Sequence, residues 1–230
     1  DIYSHETSNY DTGTVYFRDV HRVLVDRCRF VDNKVRLNRN NVVNGVALSN
    51  HADSGHSRGR IDVRNSLFAG NHRDATYPQA PATQGEAVNL YDNNQVSGSI
   101  ENCTIVGSPH QALRFFDGDG VTVRNNILWD NGADVNGTPD NAIVTHNNFE
   151  HGYKDTEDDN ISAEPLFEDA GSGHYRLQPA SPSVGAGLLL AWMDADARDL
   201  DGEPRTQKGL VDMGAYQYPF PPLGSLFLIR

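Results

Sequence analysis

Apolar and polar residues alternate in short bursts along this chain, and one such burst recurs five times. The copies span Val23–Phe30, Ile61–Phe68, Gly98–Ile105, Val121–Leu128 and Ala142–Phe149. Aligned, they share three columns. The first holds Val25, Val63, Ile100, Val123 and Val144. The second holds Cys28, Ser66, Cys103, Asn126 and Asn147, and the third Phe30, Phe68, Ile105, Leu128 and Phe149. Each burst opens with period-2 alternation, which marks a strand with one buried face. It then turns at a small or amide residue and closes on another apolar side chain. Three residues later come Asn33, Asn71 and Asn131, with Ser108 and Gly152 in the remaining copies.

Successive members of the first column are 38, 37, 23 and 21 residues apart. The shorter steps are about one turn of a parallel β-coil, and the longer ones are a turn plus an insertion. A second strand series lies between the copies: Val46-Ala47-Leu48, Val88-Asn89-Leu90 and Leu113-Arg114-Phe115. Its outer residues are expected to face the core, leaving Ala47, Asn89 and Arg114 outside. No window of a dozen residues keeps a helical period, because Asn, Asp and Gly break every stretch. A stacked repeat of this kind predicts an all-β chain folded as a right-handed parallel β-helix, whose turns touch only their neighbours. A β-sandwich also has short strands, but it does not require one side-chain column to repeat. The Asn columns read as scaffold, since stacked amides bond along a ladder and Asn accepts a left-handed bend.

Composition adds three constraints. A net charge of −12 over 230 residues argues against a nucleic-acid surface. An apolar content of 37% suits a thin core under a large polar surface. The two cysteines fall in one column two turns apart, roughly 10 Å at about 4.8 Å per turn. A disulfide needs Cα atoms within about 7 Å, so two buried free thiols are expected. No stretch near the N-terminus is apolar enough to span a bilayer.

The repeat is expected to occupy residues 1–162. Residues 163–218 form a distinct end segment, and 219–230 a tail or linker. The end segment reads Pro165-Leu166-Phe167, Tyr175-Arg176-Leu177, Ser181-Pro182 to Gly187, Asp201-Gly202 to Arg205, and Val211-Asp212-Met213-Gly214-Ala215-Tyr216-Gln217-Tyr218. This order of motifs resembles the ending of secreted bacterial right-handed β-helix proteins of the pectate-lyase-like superfamily, in particular the choice-of-anchor Q type. The resemblance implies a coil that is exported or displayed at the cell surface; it implies an activity only weakly, because this ending serves many functions. The Asp194, Asp196, Asp199 and Asp201 cluster reads as an acidic loop in which Asp201 and Arg205 brace each other.

Insertions crowd the first two turns, at residues 34–44, 50–60 and 72–85, and loops on a rigid coil are where function tends to reside. The second strand series beside them carries acids, amides, aromatics and arginines, a mixture that suits an acidic polysaccharide. Asn89, Tyr91, Phe116 and Arg58 are the expected substrate-binding residues. Two reactions stay open. In a lyase, Arg114 neutralises the uronate carboxylate, His51 or Arg58 is the base, and Glu86 with Asp92 holds Ca2+. Glu86, Asn89 and Arg114 resemble part of the set used by calcium-dependent β-helix lyases, although no Lys stands on these strands. In a glycosidase, Asp92 and Asp117 on adjacent turns, about 4.8 Å apart in backbone stacking, form the carboxyl pair. The rival class is structural: a surface or filament subunit that stacks head to tail.

Overall fold

The computed structural model describes residues 2–3, 10–12, 14–18, 21–36, 42–51, 59–73, 87–91, 96–116, 120–137, 142–152 and 159–220. Each copy of the repeated burst is a pair of strands, and the pairs stack into parallel sheets. The first sheet contains Arg22–Asp26, Gly59–Arg64, Val96–Glu101, Val121–Arg124 and Ile143–Thr145. The second contains Arg29–Val31, Leu67–Ala69, Thr104–Val106, Ile127–Trp129 and Asn148–Phe149. A third is built from Val15–Arg18, Leu48–His51, Val88–Tyr91, Gln111–Phe116 and Ala133–Asn136. Two smaller parallel sheets complete the early turns. The fold is an all-β parallel β-helix solenoid.

The columns read from the sequence are the registers observed. Val25, Val63, Ile100, Val123 and Val144 pair in a row across the first sheet. In the second, Phe30 and Phe68 stack face to face with centroids 4.8 Å apart, followed by Ile105, Leu128 and Phe149. These residues form one continuous core.

A single left-handed residue turns the chain from the first sheet to the second. It is Arg27, Asn65, Asn102, Asn125 or His146, with φ between 49° and 57°. Only residues that tolerate this region without much strain suit the corner, and Asn is among the best. The next residue is the second column. Asn126 Oδ1 accepts from the Cys103 N–H (2.8 Å), Asn147 Oδ1 from the Asn126 N–H (3.0 Å), and Asn160 Oδ1 from the Asn147 N–H (3.0 Å). Each of these amides also donates to the carbonyl of Ile100, Val123 or Val144 on the turn before. A parallel ladder at the next bend links Asn71 to Asn33 and Asn131 to Ser108. The scaffold reading of the Asn columns therefore holds, with the left-handed residue one place earlier than the ladder residue.

Both cysteines are free. Cys103 is buried, and burial pushes its thiol up to about 12; Cys28 is only half-buried.

The second strand series needs a correction of register. Leu48, not Val46, pairs with Val88, which in turn pairs with Leu113. Ser49, Asn89 and Arg114 thus form the outward row, while Ala47 is wholly buried. A slip of two residues keeps the same face inward, so alternation alone could not distinguish the two registers.

Residues 163–218 leave the repeat. Phe167–Asp169 and His174–Leu177 form an antiparallel hairpin, and Leu67, Ala69 and Val106 of the second sheet pack against Phe167, Tyr175 and Leu200. The segment is held by its own motif residues. Asp199 accepts from the N–H groups of Asp201, Glu203 and Gln217. Asp212 accepts from those of Gly185 and Tyr218. Gly214 has φ 86°, and a Cβ there would come within 2.7 Å of the Ile127 side chain and 2.8 Å of Thr104 Oγ1. The expected Asp201–Arg205 brace is not formed. Asp201 meets Arg29 and Arg176, whereas buried Arg205 donates to the carbonyls of Asp212 and Gly214. Desolvation lowers that guanidinium to about 10.

Asn126→Ala would leave the Cys103 N–H and the Ile100 carbonyl without their partner inside the coil. A loss of roughly 2–4 kcal/mol is expected, read from the urea midpoint at constant slope. A loss below about 0.5 kcal/mol would mean that the ladder is dispensable.

Candidate functional site

The outward residues of the first sheet fall into rows because its strands are in register. One row reads Leu24, Asp62, Ser99 and Thr122; the next reads Asp26, Arg64, Glu101 and Arg124. Acid and base alternate along the second row. Arg64 Nε lies 3.6 Å from Asp26 Oδ1, and Asn65 donates to the same oxygen at 2.9 Å. In the first row, Asp62 is gripped by Arg60 through Nε (2.8 Å) and a terminal nitrogen (2.7 Å), and by Ser99 Oγ (2.8 Å). Arg22, on the edge strand, reaches to 4.0 Å from the same carboxylate.

The end segment supplies a wall to this face. Asn125, already a corner residue, exchanges two hydrogen bonds with the backbone of Leu188, both 2.8 Å. That anchor carries the chain to Trp192, whose Nε1 donates to Glu101 Oε2 at 2.8 Å. Arg64 lies over the indole ring, 4.6 Å from its centroid. Between Trp192 and the strands is a groove of about 450 Å³, bordered by Arg22, Leu24, Arg60, Asp62, Arg64 and Glu101. Burial raises the Glu101 carboxyl above the ordinary range, and the neighbouring Asp62 charge adds to this. The Trp192 bond and the charge of Arg124 oppose it without cancelling it.

Three guanidinium groups therefore line a groove that also holds Asp62 and the raised Glu101 carboxyl. A second hollow, of about 400 Å³, opens beside Arg29, Arg176, Asp201 and Tyr216. There Asp201 takes both arginines, and Arg176 also lies over the Tyr216 ring. Its charges are spent on one another, so the first-sheet groove is the better ligand site.

The residues expected from the sequence lie on the third sheet. Asn89 and Arg114 are direct neighbours, and Tyr91 pairs with Phe116. His51 pairs with Arg18 at the other side of that sheet. Asn89 is fully buried, and neither of its amide atoms has a hydrogen-bond partner. The backbone at Gly45 lies against it: a Cβ there would be 2.8 Å from Ser49 Cβ and 3.1 Å from Asn89 Cβ. Asn89 is therefore enclosed beneath the Gly45 backbone in this structure. Arg58, Glu86, Asp92 and Asp117 lie outside the described residues. Among the described residues, no group of three or more His, Cys, Asp or Glu side chains could hold a metal ion, and no helix is long and apolar enough to cross a membrane.

Asp62, Arg64 and Glu101 were visible in the repeat as the residues between its apolar columns, and Arg60 as the last residue of the insertion before it. Trp192 had no such signal. It arrives from 91 residues beyond Glu101 on a segment without periodicity. In comparisons with known proteins, no family model, no curated protein and no solved structure matches this chain.

The raised Glu101 carboxyl has a stability consequence. The folded chain holds this proton more tightly than the unfolded chain, so its contribution is present at low pH. It is lost as pH rises from the ordinary glutamate range through the raised value. Glu101→Gln keeps an acceptor for Trp192 and removes the titration. The melting temperature of the variant relative to the parent should therefore climb between pH 4 and pH 8. A difference that is flat over that range would contradict the assignment.

Proposed function

We propose that this chain binds an acidic polysaccharide along the outer face of the first sheet. The observation that carries the reading is electrostatic. A chain of net charge −12 gathers Arg22, Arg60 and Arg64 around one groove, where burial raises one of the two opposing carboxyls, Glu101, above its ordinary range. The side chain of Arg22 is 77% exposed and that of Arg60 46% exposed, so both retain donors for a ligand carboxylate. Guanidinium groups suit that partner because they offer planar, paired donors. A polymer laid across the strands meets a new set of side chains about every 4.8 Å, and Trp192 adds an aromatic wall. The resemblance of the end segment to secreted β-helix proteins supports an encounter outside the cell.

Calorimetric titration with polygalacturonate, with and without calcium, tests the proposal. Saturable binding that weakens with added salt is expected, with none to a neutral glucan. The double variant Arg22→Ala/Arg60→Ala should bind at least about ten-fold more weakly, as expected for loss of charge-assisted hydrogen bonds. Equal binding of the neutral glucan, or undiminished affinity in the variant, would overturn it.

A further inference from the structure

We infer that the groove also cleaves the glycan it binds, by hydrolysis, with Glu101 as proton donor and Asp62 as the base that activates water. This rests on the polysaccharide-binding reading and adds an activity to it. Ser99 pairs with Asp62 and Glu101 with Arg64, so Glu101 stands one strand across and two residues along from Asp62. With strands about 4.8 Å apart and about 3.3 Å of rise per residue, the two backbone positions are about 8 Å apart on one face. A carboxyl separation of about 6.5–9.5 Å leaves room for a sugar ring and an attacking water between the two groups.

The two carboxyls are held for different tasks. Glu101 is almost buried, which raises its carboxyl above the ordinary range and suits a proton donor, and the Trp192 indole that donates to it fixes its orientation. Asp62 is held in place by donors from Arg60 and Ser99, with its carboxylate at the floor of the groove. In the step, Glu101 gives its proton to the glycosidic oxygen, and the bond from that oxygen to the anomeric carbon breaks. Water bonds to that carbon from the opposite face and passes its proton to Asp62. Water is the one co-reactant, and the anomeric configuration inverts.

The test is incubation of the whole chain with polygalacturonate, alginate and a glucuronate-containing glycosaminoglycan. New reducing ends, absorbance of unsaturated product and the anomer first released are followed together. Reducing ends without unsaturated product, and with inverted configuration, are expected for at least one substrate. Glu101→Gln and Asp62→Asn should each slow release by at least about 100-fold. Glu101→Gln should do so with unchanged calorimetric affinity and an undiminished melting temperature, which separates lost chemistry from lost folding. Intact binding without reducing ends, or unsaturated product, would overturn hydrolysis and leave the binding reading standing. Absence of binding by the parent chain would overturn both.

Discussion

The hydrogen bond from a backbone N–H of one turn to the side-chain amide of the next is the constraint on which this molecule depends. A solenoid has no distant contacts to correct a slipped turn, so each corner must position the one above it. Here the correction is local. A left-handed residue bends the chain, and the following amide takes an N–H of the adjacent turn while donating to a carbonyl of that same turn. Asn126, Asn147 and Asn160 do this in succession. The result is strict register, and register places Asp62 beside Ser99 and Arg64 beside Glu101. The groove chemistry is in this sense a product of the corner chemistry.

The same corners also secure the end segment. Asn102 donates to the Asp212 carbonyl and Asn125 to that of Leu188, so residues chosen for a left-handed bend become docking points for a chain without repeats. Beyond its one hairpin, Asp199, Arg205 and Asp212 hold that chain together from within. Its docking covers the apolar outer face of the second sheet and sets Trp192 against Glu101.

The architecture was legible because it is periodic. The apolar columns, the free cysteines and the Asn series could each be read from spacing alone. Asn160 escaped because it follows Asn147 by 13 residues, far short of any step between earlier copies. The site was less legible, for two physical reasons. Insertions and mixed chemistry drew attention to the third sheet, but burial is a three-dimensional property, and nothing in the residues around Asn89 announces that Gly45 lies over it. Conversely, Asp62, Arg64 and Glu101 were present in the repeat as residues that merely alternate with its core, and Arg60 at the end of the preceding insertion. What makes them a site is Trp192, and a contact across 91 residues leaves no mark on a local pattern.

The indole also offers the most direct measurement of the central claim. With Trp129 replaced by Phe, Trp192 is the remaining tryptophan, and its emission reports on the first-sheet groove. Titration with an acidic oligosaccharide should change that emission saturably, with the same midpoint as calorimetry. Calorimetric binding with no change in Trp192 emission would place the ligand elsewhere on the coil and contradict the account.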